Sequence, residues 1–164
     1  MRQKSGRYDW LPLRSAICRA VLDKKIRKED FRPLSLHENH KVTEEKIYHT
    51  FCQLEHPTLR PNWIWQNFKR DYSVIPDLKD RPERYLHHLI NHDETVWYIV
   101  NEDGRFWFYE GRIRAIQTII DETWFDEVYI VSKKYKWLVC INHHDALIVT
   151  GELGIPDRKT MEHL

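Results

Sequence analysis

Three consecutive residues, His143-His144-Asp145, carry the densest chemistry in the chain. An imidazole held by a carboxylate can act as a general base or as a metal ligand, because it titrates near neutrality. The segment falls between two β-rich runs, and Asn142 and Asp145 at its ends are also types that close a hairpin turn by bonding the backbone. A site and a solvated turn are both readings of these residues. His88 and His92 are four apart with Asp93 behind them, so on a helix they share a face that can hold Zn²⁺. His143, His144 or Asp145 would be the third ligand. No HExxH is present and no Glu is placed as a base, so boundary histidines making ordinary hydrogen bonds are the plainer reading. No metal or other cofactor is expected. His37, Glu38 and His40 form a looser cluster in a loop.

Aromatic residues give a second set of candidates. Trp65, Phe68 and Tyr72 recur at helical spacing beside Lys69 and Arg70; stacking of nucleic-acid bases is one reading and a buried helix stripe the other. Trp63 falls off the stripe and reads as an exposed anchor. Phe106-Trp107-Phe108-Tyr109 places aromatics on both faces of a strand, more than one core needs. Beside Glu102, Asp103 and Glu110, an exposed set suits a protein interface. The candidate partner-binding residues are therefore Trp63, Trp107, Tyr109, His143, His144 and Asp145. GxxxxGK[ST], GxGxxG and GxSxG are all missing, which removes the usual support for phosphate-loop, dinucleotide and serine-hydrolase chemistry.

Charge is unevenly spread. Residues 1–82 hold 17 Lys+Arg against 11 Asp+Glu, and residues 83–164 hold 9 against 14, although the whole chain carries only +1. Arg2, Lys4, Arg7, Arg14, Lys24, Lys25, Arg27 and Lys28 make the start of the chain basic, which suits weak nucleic-acid binding or simply a solvated helix face. Cys18, Cys52 and Cys140 sit among apolar neighbours without a CxxC spacing and read as buried, reduced thiols in a reducing compartment. No apolar run is long enough for a membrane span, and the basic start lacks the apolar stretch of a signal peptide, so a cytoplasmic protein is expected.

The elements that must position these residues change period half-way. Leu13, Ile17, Ala20 and Val21 predict a helix over about 12–26; Thr43 caps a second one carrying Ile47, Tyr48 and Phe51. Pro61 opens a third through Tyr72, and Asp80 with Glu83 a fourth carrying Tyr85, Leu86, Leu89 and Ile90. Beyond them come strands at 96–100 and 106–109 around an Asp103-Gly104 turn, then a helix over 112–122. Strands at 128–131, 137–141 and 146–149 complete the pattern. The expected fold is α+β: a helical N-terminal half packed with a mainly antiparallel five-stranded sheet of order ββαβββ. The whole forms one domain over 1–164, mostly helical over 1–92, sheet-rich over 93–152, with a tail at 153–164. Strands such as Trp97-Tyr98-Ile99-Val100 are apolar at successive positions, so both sheet faces should be covered.

The stretch Tyr135-Lys136-Trp137-Leu138-Val139-Cys140-Ile141-Asn142-His143-His144-Asp145, with Leu147 and Gly151 after it, resembles short uncharacterised bacterial proteins, distantly similar to the SMI1/KNR4-like (SUKH) immunity proteins. The resemblance spans about residues 83–152. It implies a non-enzymatic α+β protein that binds a protein partner, often a toxin, and it transfers no catalytic residue. The leading expectation is thus a cytoplasmic partner-binding protein of immunity type. A His-dependent or metal-assisted enzyme built on His143, His144 and Asp145 is the alternative, and weak nucleic-acid binding the third.

Overall fold

The computed structural model describes residues 8, 10–35, 38, 40–75 and 78–155. Among the described residues four α-helices, α1 (Leu13–Asp23), α2 (His40–Phe51), α3 (Leu86–Leu89) and α4 (Ile113–Glu122), surround seven strands. The strands are β1 (Phe31–Pro33), β2 (Tyr72–Ile75), β3 (Thr95–Glu102), β4 (Arg105–Arg112), β5 (Glu127–Ser132), β6 (Trp137–Ile141) and β7 (Leu147–Gly151). They form one antiparallel sheet in the order β1-β4-β3-β5-β6-β7-β2. Asp103 and Gly104 both take positive φ, as the two-residue turn joining β3 to β4 requires.

Side chains alternate across the sheet, and each face has its own core. Val96, Tyr98, Val128, Ile130, Val139 and Val149 point to one side, where α1, α4 and the 82–90 segment cover them with Leu13, Ile17, Leu86, Ile116 and Ile119. Ile99, Phe108, Tyr129, Val131, Leu138, Cys140 and Ile148 point to the other, against Ile47, Tyr48 and Phe51 of α2 and Ile64. Strands apolar at every position are the sequence mark of a sheet buried on both sides. β5 and β6 are buried along their whole length.

The structure corrects the expected fold at several points. The sheet has seven strands where five were expected, and the first half is not simply helical, because it supplies both edge strands. β1 has three residues and ends in Pro33, which an edge tolerates since its nitrogen needs no partner. Residues 61–72 do not form a helix. Pro61 precedes a 3-10 turn at Ile64–Asn67, Phe68 then makes a lone bridge to Cys52, and Tyr72 begins β2 against Thr150 of β7. Tyr72 is consequently 53% exposed rather than part of a buried stripe. Thr43 lies inside α2, which begins at His40. Of the three cysteines Cys52 and Cys140 are buried, whereas Cys18 is exposed on α1; none is in a disulfide. Among the described residues no helix is long and apolar enough to cross a membrane.

Candidate functional site

The turn between β6 and β7 is built as its residue types suggest. The Asn142 backbone N–H donates to Ala146 O at 3.2 Å and Asp145 N–H to Asn142 O at 2.9 Å. The Asn142 side-chain oxygen accepts from the N–H groups of His144 and Ala146, each at 3.0 Å. Asp145 takes the left-handed backbone, φ 57°, that Asp tolerates better than most residues. Asp145 is thus a turn residue, and His144 is exposed beside it.

His143 has a carboxylate partner, but not the one in its own turn. Its Nδ1 lies 3.3 Å from Oε1 of Glu127, at the start of β5, whose side chain is fully buried. Glu127 is the hub of a polar cluster on the α2 side of the sheet. Trp65 Nε1 donates to its Oε1 at 2.6 Å, and the Tyr129 hydroxyl donates to its Oε2. The Tyr129 oxygen in turn accepts the Ile64 backbone N–H at 3.0 Å. Asn101, opposite Glu127 on β3, donates to Asn62 O at 3.0 Å. Three buried polar side chains therefore dock the 62–65 segment onto the sheet. Burial pushes the Glu127 carboxyl above its ordinary pKa, while the bonds from Tyr129, Trp65 and His143 pull it back.

Docking fixes Trp63 over the turn. Its ring centroid is 5.3 Å from that of His143, and the His143 and His144 rings are 4.0 Å apart. Trp63 is half-buried and the His143 side chain is 35% exposed, so the pair presents an aromatic surface backed by a rigid polar base. When its carboxylate is ionised, Glu127 can only accept hydrogen bonds, so its contact with Nδ1 then requires the ring proton on that nitrogen. The thiol joined to this network, Cys140, is fully buried with its pKa pushed well up by burial, which unsuits it as a nucleophile.

The remaining candidates separate. Tyr109 is buried, stacked on Phe31 at 5.1 Å, and offers a partner no surface. The Phe31 ring of the neighbouring β1 packs on it, and Leu13 and Ile17 of α1 belong to the same core. Trp107 is half-buried, with Arg14 4.8 Å above its ring and its Nε1 donating to Glu102 at 3.1 Å, apart from the Trp63–His143 patch. His88 and His92 do not share a helix face, because α3 ends at Leu89. His87 instead bridges them, 3.7 Å from His88 and 5.1 Å from His92 between ring centroids. Among the described residues no group of three or more His, Cys, Asp or Glu side chains is arranged to hold a metal ion. Glu38 is tied to Arg32 by two bonds of 2.8 and 2.7 Å, which hold its carboxyl down at about 2. His40 lies 5.8 Å from the Phe108 ring, and His37 falls outside the described residues.

Residues 9–160, nearly the entire chain, match a family of unknown function, DUF6756. The chain belongs to the DUF6756 family. No link from DUF6756 to the SUKH superfamily is shown. No curated protein and no solved structure matches this DUF6756 chain.

Proposed function

We propose that this DUF6756 protein is a non-enzymatic protein-binding module whose recognition surface is the Trp63–His143–His144 patch. The observation that carries the reading is the tilted contact of the Trp63 ring with that of His143, anchored from below by Glu127, Trp65 and Tyr129. Interfaces concentrate their binding energy in a few aromatic side chains, and rigid backing lowers the entropy lost when they engage. The immunity-type role belongs to this proposal, supported by the resemblance of the 135–145 stretch alone; a cytoplasmic setting belongs to it too, supported by cysteines that form no disulfide. The test is affinity capture from the native host with the full chain and with a Trp63→Ala/His143→Ala variant. A protein retained by the first and lost with the second is the expected result. Equal capture by both, or none by either at micromolar bait, overturns the proposal.

One observation favours a second reading. A buried carboxylate 3.3 Å from a half-exposed imidazole is also the pairing that prepares a general base. In that reading Glu127 takes the orienting role that the sequence suggested for Asp145.

A further inference from the structure

Of the basic residues near the chain start, Arg2, Lys4 and Arg7 lie outside the described residues, whereas three of the later ones meet cations from elsewhere in the chain. Lys24, Lys25 and Arg27, at the end of α1 and just beyond it, meet Arg112 and Arg114, at the start of α4, around a cleft of about 330 Å³. That volume lies at the lower end of small-molecule sites. Two carboxylates, Asp30 and Asp93, share the lining with the five cations. Asp30 sits between Arg27 at 2.9 Å and Arg112 at 3.5 Å and so bridges the two sides of the cleft; Asp93 lies 3.6 Å from Arg114. Each of these contacts engages one nitrogen of a guanidinium that has five N–H donors, so most donors stay free. Lys24 is held from outside the cleft by Glu122 at 2.7 Å. Lys25 is fixed by an unusual backbone with φ 54°, its side chain exposed.

Five cations against Asp30, Asp93 and Glu122 leave the concavity with an excess of positive charge, which an anion seated between them would neutralise. Guanidinium forks match phosphate oxygens in pairs, a fit that chloride cannot make, and a phosphate or diphosphate offers several cations at once more oxygens than one carboxylate does. We infer that this cleft binds a small molecule through a phosphate or diphosphate group, with Arg112 and Arg114 on one side and Lys25 and Arg27 on the other. The concave shape and small volume favour a phosphorylated small molecule over a nucleic-acid strand, which needs an extended track of phosphate contacts. The cleft is framed by α1 and α4, elements that take no part in the Trp63–His143 patch, so this inference stands apart from the protein-binding reading.

The test titrates inorganic pyrophosphate, and a short single-stranded RNA in parallel, into the full chain at low salt, following binding by calorimetry and backbone amide NMR. The Arg114→Gln/Lys25→Gln variant is titrated alongside. Arg114 is 70% exposed and Lys25 is on the surface, so the variant should melt with the wild type. The expected result is saturable pyrophosphate binding that weakens by about tenfold or more in the variant, each charge-assisted contact contributing on that scale. Amide shifts should centre on residues 24–30 and 112–118, and affinity should fall as salt is raised. No saturable binding up to about 10 mM pyrophosphate, equal binding by the variant, or tight RNA binding without any response to pyrophosphate would each overturn the inference.

Discussion

A carboxylate with no exposed surface must find donors for its lone pairs, and Glu127 has them in Trp65, Tyr129 and His143. The three are unequal. Trp65 and Tyr129 face the interior, whereas His143 reaches in from the turn and keeps a third of its side chain in solvent. Glu127→Ala strands the Trp65 N–H and the Tyr129 hydroxyl together and should cost about 3 kcal/mol or more. His143→Ala leaves the two inner bonds in place and should cost about 1 kcal/mol, and His144→Ala less than about 0.5 kcal/mol. Urea unfolding of the three variants checks the ranking. If His143→Ala destabilises as much as Glu127→Ala, the imidazole is a buried strut and the recognition surface loses its centre. His143 was legible in the sequence because a turn between two β runs is where polar side chains gather. Glu127 was not, since a charged residue at the start of an apolar run looks like a solvent-exposed strand end. Its burial comes from the 62–65 segment, with Trp65 62 positions earlier, a contact that local spacing does not reveal.

At the scale of elements, the second half of the chain was readable because its strands run through the middle of the sheet. β5 and β6 are buried at every position and β3 at most of its positions, so the apolar runs are long and easy to place. The edges were missed for the complementary reason. β2, with Tyr72 and Val74 about half exposed, carries no hydrophobic pattern of its own and exists by pairing with β7. The 80–90 segment shows another limit. Asp80 and Glu83 have the spacing of a capping box, yet the Glu83 side chain is fully buried, with Arg81 Nε 2.8 Å from its Oε1. Arg81 also reaches Asp121 of α4 at 3.1 Å, so one guanidinium ties the 3-10 turn at Pro82–Tyr85 to the end of α4. Burial is the largest influence on Glu83 and outweighs the half-exposed Arg81, while Asp121 adds to it, so the carboxyl is pushed up to about 7 from 4.5. A raised acid pKa means that the folded chain binds the extra proton. The stabilisation is then complete below about pH 4.5 and is lost as pH rises through about 7. His87 and His88 are lowered, first by burial and then by neighbouring histidines, and act in the opposite direction near neutrality. The informative quantity is therefore the difference between wild type and Glu83→Gln. Relative to the variant, the wild-type melting temperature should fall between pH 5 and pH 8. Parallel curves over that range would show that Glu83 does not titrate there.

For the whole molecule, the decisive feature is that one sheet serves two cores. The strands β3, β5 and β6 send alternate side chains to opposite sides, so neither layer of helices can leave without exposing the strands that the other layer needs. The two layers come from interleaved parts of the chain: α1 and α4 on one side, α2 and the 62–68 segment on the other. A structure assembled this way should unfold in one step, as domains of this size usually do. Ile116→Ala removes a fully buried side chain from the α4 side, and Ile47→Ala removes its counterpart from the α2 side. Each should cost about 2–5 kcal/mol, with the unfolding slope against denaturant unchanged. Hydrogen exchange gives the sharper reading. Under conditions where exchange reports global opening, the β5 and β6 amides should accelerate in both variants, each by the factor its own loss of stability dictates. Suppose instead that Ile47→Ala speeds exchange only in α2 and the 62–68 segment while the central strands stay protected. The α2 layer would then be a separately melting cover, and the Trp63–His143 patch seated on its side of the sheet would be a surface the protein can open and close.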